Sequence, residues 1–270
     1  MTEEGNWEEF EEWVSKLKLA LSNSHSSPLL FRGQSDSSLD LTSTLERNVG
    51  GPIFSFTEYE QLIIGRVGPS VKSFANVEIP EYSEDRFKSY ENMDGLSFGV
   101  GLLLTPAVME YMVYLRHHGF PSPLLDWSRS QYVAAFFAFR NVDKSSHVRS
   151  IYIYCETPTG ITSGRVGEPT IKRTGNYIPA HHRHFWQQSD YTICASYESN
   201  RWQYDSHQKV FNNRLNRQDL LWKFNIPSSE RMKVLKKLDQ YNLNAYSLMG
   251  SEESLLETLW MREVSLRGRG

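Results

Sequence analysis

The sequence predicts an α+β fold, a mixed sheet flanked by helices. Segments with helical apolar spacing alternate with short runs of β-branched and aromatic residues, which is the order of a layered helix-and-sheet core. The 270 residues carry no long Pro, Gly or Ser linker, so one sizeable body is expected. No internal repeat points to a solenoid.

The first element is an amphipathic helix over Asn6 to Ser22. Trp7, Phe10, Val14, Leu17 and Leu21 recur on one face, Asn6 caps, and Glu9 completes a capping box. Glu12 and Lys16 add a pair one turn apart, and the acidic first turn suits the helix dipole. The Glu-rich side reads as a solvated face or as a surface for a basic partner. Residues 1–24 are taken as this helix, 25–263 as the main domain and 264–270 as a flexible tail.

Pro28 to Arg32 reads as a strand, Asp36 to Thr44 as a turn, and Leu45 opens a further element. Phe56 to Phe74 is loosely helical through Tyr59, Leu62, Ile63, Val67 and Val71, with Gly65 and Gly68-Pro69 interrupting. Glu78 to Leu96 lacks a pattern and is expected as an exposed connection. Thr105 to His118 is a helix with Pro106 in its first turn and Gly119 as its stop. Leu124 to Trp127 is a short strand, with Ser128 capping an apolar helix over Gln131 to Arg140.

Strands follow at Ile151 to Cys155 and Tyr191 to Ala195, and another ends at Asn225-Ile226-Pro227. Ser228 begins a helix with Met232, Leu235 and Leu238 inward. A last helix near Ser251 to Glu263 uses Leu255, Leu256 and Leu259. Between these lies one locally basic segment, with Arg165, Lys172, Arg173 and Arg183 set among His181, His182 and His184.

A net charge of −3 removes any global attraction to nucleic acid or acidic membranes, so such a surface has to be local. The longest apolar runs, Gly101 to Leu104 and Tyr132 to Phe139, are far short of a membrane span, and the acidic N-terminus is unlike a signal peptide. A cytoplasmic protein with no membrane partner is expected. Cys155 and Cys194 sit in strand-like apolar runs and are expected as buried, reduced thiols.

No G-x-S-x-G elbow, P-loop, G-x-G-x-x-G or C-x-x-C is present. The five histidines His117, His118, His181, His182 and His184 lack a carboxylate at helical ligand spacing, so no metal is expected. Two stretches are dense in chemistry. Leu29 to Ser35 delivers Arg32, a planar charged fork, beside Gly33, where a ligand can approach the backbone. The second runs from His117 to Ser128. Arg32 reads either as a fork for phosphate or carboxylate or as a staple to Asp126; His118 reads either as a ligand contact or as a helix C-cap. Trp127 divides between core and pocket wall.

Phe31-Arg32-Gly33-Gln34-Ser35, then His118-Gly119-Phe120-Pro121 and Leu124-Leu125-Asp126-Trp127-Ser128, followed by Ala134, Phe136, Phe137 and Ala138, resemble the bacterial FRG domain, named for its Phe-Arg-Gly motif. The resemblance continues through Arg183, Gln187, Gln188, Tyr191 and Thr192 to Ser247 and Leu248, so it covers the chain from about Leu29 to Leu259. That family in turn resembles the ADP-ribosyltransferase superfamily. This implies an ADP-ribosyltransferase-like sheet, NAD as cofactor, and a first-strand arginine, which is Arg32 here. It implies a second element at Trp127 and Ser128 and a third at Gln187 or Gln188, where the superfamily's usual glutamate is missing. Ser189, Pro123 and His117 also depart from the family's usual glycine, basic residue and glutamine.

Cleaving the nicotinamide–ribose bond passes through an oxocarbenium-like state, so the protein chiefly orients NAD and favours the developing charge. By this resemblance Arg32, His118, Asp126 and Gln187 are the expected catalytic residues. Phe31, Arg32, Gly33, Gln34, Ser35, Trp127, Ser128 and Gln188 are expected to bind the cofactor. Gln187 can hold a ribose hydroxyl but cannot act as a base, so His118, Asp126 or the target supplies one. The expected activity is ADP-ribosylation by a toxin or phage-defence protein, held in check by an antitoxin partner. The basic, aromatic region from Arg165 to Trp202 favours RNA as acceptor over DNA or protein. The missing glutamate also admits a nucleotide-binding sensor, and water as acceptor would make an NAD hydrolase.

Overall fold

The computed structural model describes residues 1–22, 25–49, 54–75, 77–92, 104–141, 146–158, 160, 168–174, 182–212 and 220–267. Its strands are β1 (Thr2–Glu4), β2 (Leu30–Gln34), β3 (Leu125–Ser128), β4 (Val148–Cys155), β5 (Thr170–Arg173), β6 (Ser189–Glu198), β7 (Arg201–Tyr204) and β8 (Leu220–Pro227). They form one eight-stranded sheet in the order β1-β8-β4-β2-β3-β6-β5, with β7 folded back on β6. The β1–β8 pairing is parallel and the others are antiparallel, so the sheet is mixed and the fold is α+β, as the sequence predicts. The β6–β7 hairpin turns through Ser199 and Asn200, both at positive φ as its two-residue loop requires.

The helices are α1 (Trp7–Ala20), α2 (Thr44–Val49), α3 (Phe56–Glu60), α4 (Gly68–Ala75), α5 (Glu84–Asn92), α6 (Pro106–His117), α7 (Gln131–Phe139), α8 (His182–Trp186), α9 (His207–Asn212), α10 (Arg231–Gln240), α11 (Ala245–Met249) and α12 (Glu252–Trp260). In α1 the Asn6–Glu9 capping box is present as expected, and Trp7, Phe10 and Val14 are fully buried. Part of its acidic face meets a basic partner inside the same chain. Glu8 and Glu11 each lie 2.5 Å from a lysine of α10, Lys233 and Lys237.

One face of the sheet carries two cores. The first packs α1, α7 and α10 over Phe31, Ile151, Ile153, Phe224 and Ile226. The second packs α3 and α6 over Tyr191, Ile193 and Ala195. On the reverse face Leu30, Trp127, Tyr152, Tyr154 and Cys194 gather with Val210 and Phe211 of α9. Both cysteines are buried and unpaired with each other. Among the described residues no helix is long and apolar enough to cross a membrane.

Several elements differ from expectation. β1 was not anticipated; it is too short to show a period and is held by pairing Thr2 to Glu4 against Lys223 to Asn225. Gln61–Val67 joins α3 to α4 as a wide π-helical segment, which explains the loose apolar phase between Phe56 and Phe74. The stretch expected as an exposed connection contains α5, whose Phe87 and Tyr90 are buried; the Tyr90 hydroxyl donates to Glu60 at 2.7 Å. In α10 the inward residues are Val234, Leu235 and Leu238, with Met232 at the surface. In α12 Ser254 and Thr258 face inward, while Leu256 and Trp260 are 60% and 65% exposed.

Gly33 reveals its role in the packing of β2 on α7. A Cβ there would lie 1.9 Å from the Ala134 carbonyl oxygen and 2.6 Å from the Ala138 nitrogen, both backbone atoms that cannot swing away. The missing side chain therefore makes room for a helix, a reason for Gly33 that the sequence-based expectation lacked. Gly33→Ala is expected to lower stability by about 3 kcal/mol, the upper end for overpacking a close contact. Thermal or urea unfolding of the variant measures it.

Candidate functional site

The site grows from a near-severance of the sheet. β2 pairs with β4 over five positions and β3 with β6 over four, yet β2 and β3 meet at a single register position, Phe31 opposite Ser128. Beyond that position a cleft of about 370 Å³ opens, lined by Phe31 to Ser35, His117, Asp126 to Ser128, Gln187 and Tyr191 among others. Residues from both dense stretches of the sequence thus meet in one place.

Arg32 spans the split. Its Nη1 donates to the Asp126 carbonyl oxygen at 2.8 Å, while its buried Nε has no partner among the described residues. Gln34 stands next on the same side of β2; its Nε2 donates to Leu39 and Asp40 carbonyls, and its buried Oε1 is likewise unpartnered. Burial pushes the Arg32 pKa down to about 10 against the opposing pull of Asp126, which leaves it charged at neutral pH. Leaving a buried charged donor unpaired costs upward of about 1–3 kcal/mol.

The staple between the two motifs therefore runs to the Asp126 backbone, not to its carboxylate. That carboxylate is gripped in bidentate fashion by Arg116, through Nε and Nη2, while Arg116 Nη1 donates to Thr44 Oγ1 at 3.0 Å. Burial raises the Asp126 pKa, but the charge and hydrogen bonds of Arg116 outweigh it and hold the carboxyl below its usual range. Asp126 is thus an ionised anchor, which corrects its expected place as an acid or base. Arg116 was missed by the sequence reading; its position in the last turn of the helix preceding the motif was the available signal.

The histidine in the cleft is His117, not His118. His117 Nε2 lies 3.0 Å from the Tyr191 hydroxyl, which in turn lies 3.4 Å from His184 Nδ1. The His184 ring stacks on Tyr191 with centroids 5.6 Å apart. Burial pushes the Tyr191 phenol up and the His184 imidazole down, so both favour neutral forms. His118 is the C-cap of α6, is exposed and leans on Tyr114 at 4.4 Å. One residue is about 100° of helix rotation: both rings line a second cavity along α6, but of the two His117 alone also lines the cleft.

Trp127 is core. It is 3% exposed, and its indole N–H donates to Thr192 Oγ1 at 2.7 Å, which lies 2.9 Å from His207 Nε2. The threonine hydroxyl accepts from Trp127 and has both a donor and a second lone pair to offer His207 Nε2. Burial, helped by Arg32, pushes the His207 pKa down to about 3.

Ser128 Oγ donates to the Gln187 carbonyl at 2.7 Å and accepts from Ser130 N; Ser130, not Ser128, caps α7. Gln187 lines the cleft with its Nε2 tied to the Leu248 carbonyl at 2.9 Å. Gln188 is exposed at φ 48° and turns the chain into β6, outside the cleft, which corrects its expected role in binding. The Ser35 carbonyl accepts from Arg149 Nη1.

Where the sequence offers no glutamate, it offers Asp190. This carboxylate is fully buried on the reverse side of β6 from Tyr191, 2.8 Å from Arg173 Nε and 3.3 Å from Arg129 Nη2. Arg173, expected as part of a basic groove, is thus an internal counter-ion. Arg183 Nε donates to the Met249 carbonyl at 2.9 Å, and Arg165 and His181 lie outside the described residues. No group of three metal-ligating side chains gathers among the described residues.

Residues 27–147 match the family model of the FRG domain. No curated protein and no solved structure matches the chain. The matched stretch includes β2, α6, β3 and α7, and so holds Arg32, His117, Asp126 and the helix packed on Gly33. The chain contains an FRG domain over residues 27–147.

Proposed function

We propose that this protein is an NAD-dependent ADP-ribosyltransferase of bacterial toxin or phage-defence type, modifying a macromolecular target, with RNA favoured as the acceptor. The observation that carries the reading is the unpartnered Nε of Arg32 beside the unpartnered Oε1 of Gln34 in a cleft between strands. A buried cationic fork kept short of partners suits a diphosphate or ribose oxygen, and the neighbouring amide oxygen suits a hydroxyl.

The residues present fit NAD. Arg32 and Gln34 would hold its diphosphate or ribose, Phe31, Phe137 and Tyr191 would flank a flat ring, and Gln187 would present its amide oxygen to a hydroxyl. When bound, NAD supplies an ADP-ribosyl group: its ribose C1′–nitrogen bond breaks with the pair leaving on nicotinamide, and an acceptor oxygen or nitrogen joins C1′ while losing a proton. His117 is the group placed to take that proton, because both nearby carboxylates are locked to arginines. Tyr191, bridging His117 and His184, fixes the ring and its tautomer.

The same lock on Asp126 and Asp190 favours a second reading, a nucleotide-binding sensor without catalysis. A neutralising antitoxin belongs to the first reading only. Incubation of the protein with NAD labelled on its adenylate half and separate RNA, DNA and protein pools separates them. Label is expected on RNA, with Arg32→Ala lowering it about 100-fold or more while the fold is retained. Consumption of NAD with no labelled pool would indicate water as acceptor; no consumption with an intact fold would leave the sensor. His117→Ala is expected to lower kcat about 100-fold or more, whereas His118→Ala leaves kcat at saturating acceptor unchanged. Equal losses in both variants would remove His117 from its role.

A further inference from the structure

A second cavity, of about 850 Å³, lies along α6 and shares one wall residue, His117, with the cleft. We infer that this cavity is the acceptor subsite and that it takes an unpaired nucleobase of single-stranded RNA; the inference rests on the transferase reading for its purpose but not for its binding chemistry.

One side is a strip of rings at helical spacing. Tyr111 and Tyr114 lie nearly parallel, 9° between planes and 6.3 Å between centroids, and His118 continues the strip 4.4 Å beyond Tyr114. Val77, Ile79 and Pro80 add aliphatic groups to the lining. A cavity lined by ring faces and aliphatic groups fits a flat heterocycle, because stacking on aromatic faces is how unpaired bases are held.

The built feature is the Tyr111 hydroxyl. Tyr111 lines the cavity at 2% exposure, and its hydroxyl oxygen has no hydrogen-bond partner among the described residues. An orphaned polar atom in an apolar wall is a cost that a base's ring nitrogen or carbonyl would relieve. Glu110 and Arg183 also line the cavity and offer an acceptor and donors to the exocyclic groups of a base. With Glu78 the lining holds two carboxylates and one arginine, so the cavity is not a phosphate trough. A bulky double helix could not present a base to it, since paired bases stay stacked.

The shared wall gives the arrangement its consequence. A base docked on Tyr114 would bring its nucleotide to the His117 side, where the cleft begins, so donor and acceptor would approach the same imidazole from opposite cavities.

The test is fluorescence anisotropy with a labelled single-stranded RNA 12-mer and the full chain. Wild type is expected to bind it, with the matching RNA duplex failing to compete. Tyr114→Ala is expected to weaken binding about tenfold, the scale of one stacked base. Tyr111→Phe is expected to weaken binding while raising the melting temperature, because it removes an unpaired buried hydroxyl; a merely structural tyrosine would not move the two readouts in opposite directions. Arg32→Ala is expected to leave RNA affinity unchanged, so failure of the NAD reading would not disturb this result. Unchanged affinity in Tyr114→Ala, equal competition by duplex, or no RNA binding at about 100 µM protein would each overturn the inference.

Discussion

Everything at the site depends on β2 and β3 being almost unpaired. A continuous ladder at this point would satisfy backbone groups internally and close the sheet. Instead a single register position, Phe31 opposite Ser128, holds the halves together, and the Asp126 carbonyl finds its donor in a side chain, Arg32 Nη1. One guanidinium thus does part of the work of a missing strand pair. The remaining joinery is peripheral: α7 presses its backbone against Gly33 on one side of the gap, and Arg116 ties α6 to Asp126 on the other. The cleft is held open by packing, so its width does not depend on a ligand.

The electrostatics follow from that geometry. Two carboxylates lie near the gap, and each is matched by arginine: Asp126 by Arg116, Asp190 by Arg173 and Arg129. Asp190 is fully buried, and such a pair is held in place more by the cost of breaking it than by net stabilisation, whereas the Asp126 side chain is 46% exposed and is held by the two-pronged grip of Arg116. Both carboxylates are occupied by arginine partners. The other polar groups are linked in a chain, His117 to Tyr191 to His184, and burial favours the neutral forms of Tyr191 and His184. The reverse face is similar in kind, with Trp127, Thr192 and a neutral His207 forming a buried chain behind Arg32. Proton-bearing groups flank the cationic fork, and the anions are locked.

Much of this was legible in the chain. Asn6 and Glu9 announced the first helix, Pro106 and Gly119 bounded another, and the two motif stretches named the residues that line the cleft, because caps, breakers and dense polar clusters are local signals. Phase and partnership were not legible. Choosing His118 over His117 required knowing the helix rotation to within one residue. Giving Gly33 its packing role required knowing that a helix backbone occupies its side. Asp126 was given Arg32 as its candidate partner because Arg116, the arginine that grips its carboxylate, lies ten residues earlier in another element. The leucines of α12 misled for a related reason: amphipathic spacing identifies a face but not which face has a neighbour.

That last case bears on how the site is supported. α12 turns Ser254 and Thr258 inward, and Thr258 Oγ1 receives the Tyr246 N–H at 2.9 Å, so α11 is fixed to α12 by polar contacts. α11 then receives the site's own residues: Gln187 rests on the Leu248 carbonyl and Arg183 on the Met249 carbonyl. Trp186 fills the space where Gly250 would carry a Cβ, which would meet its ring at 2.4 Å. The carbonyls that end α11 are orphans of helix geometry, and here they serve as acceptors for the segment that lines the cleft. Gln187 is consequently oriented by its nitrogen, which leaves its oxygen as the only polar atom of that amide not fixed by α11. The helical end of the chain, remote in sequence from the Phe-Arg-Gly strand, thus sets which atom of Gln187 the cleft can use.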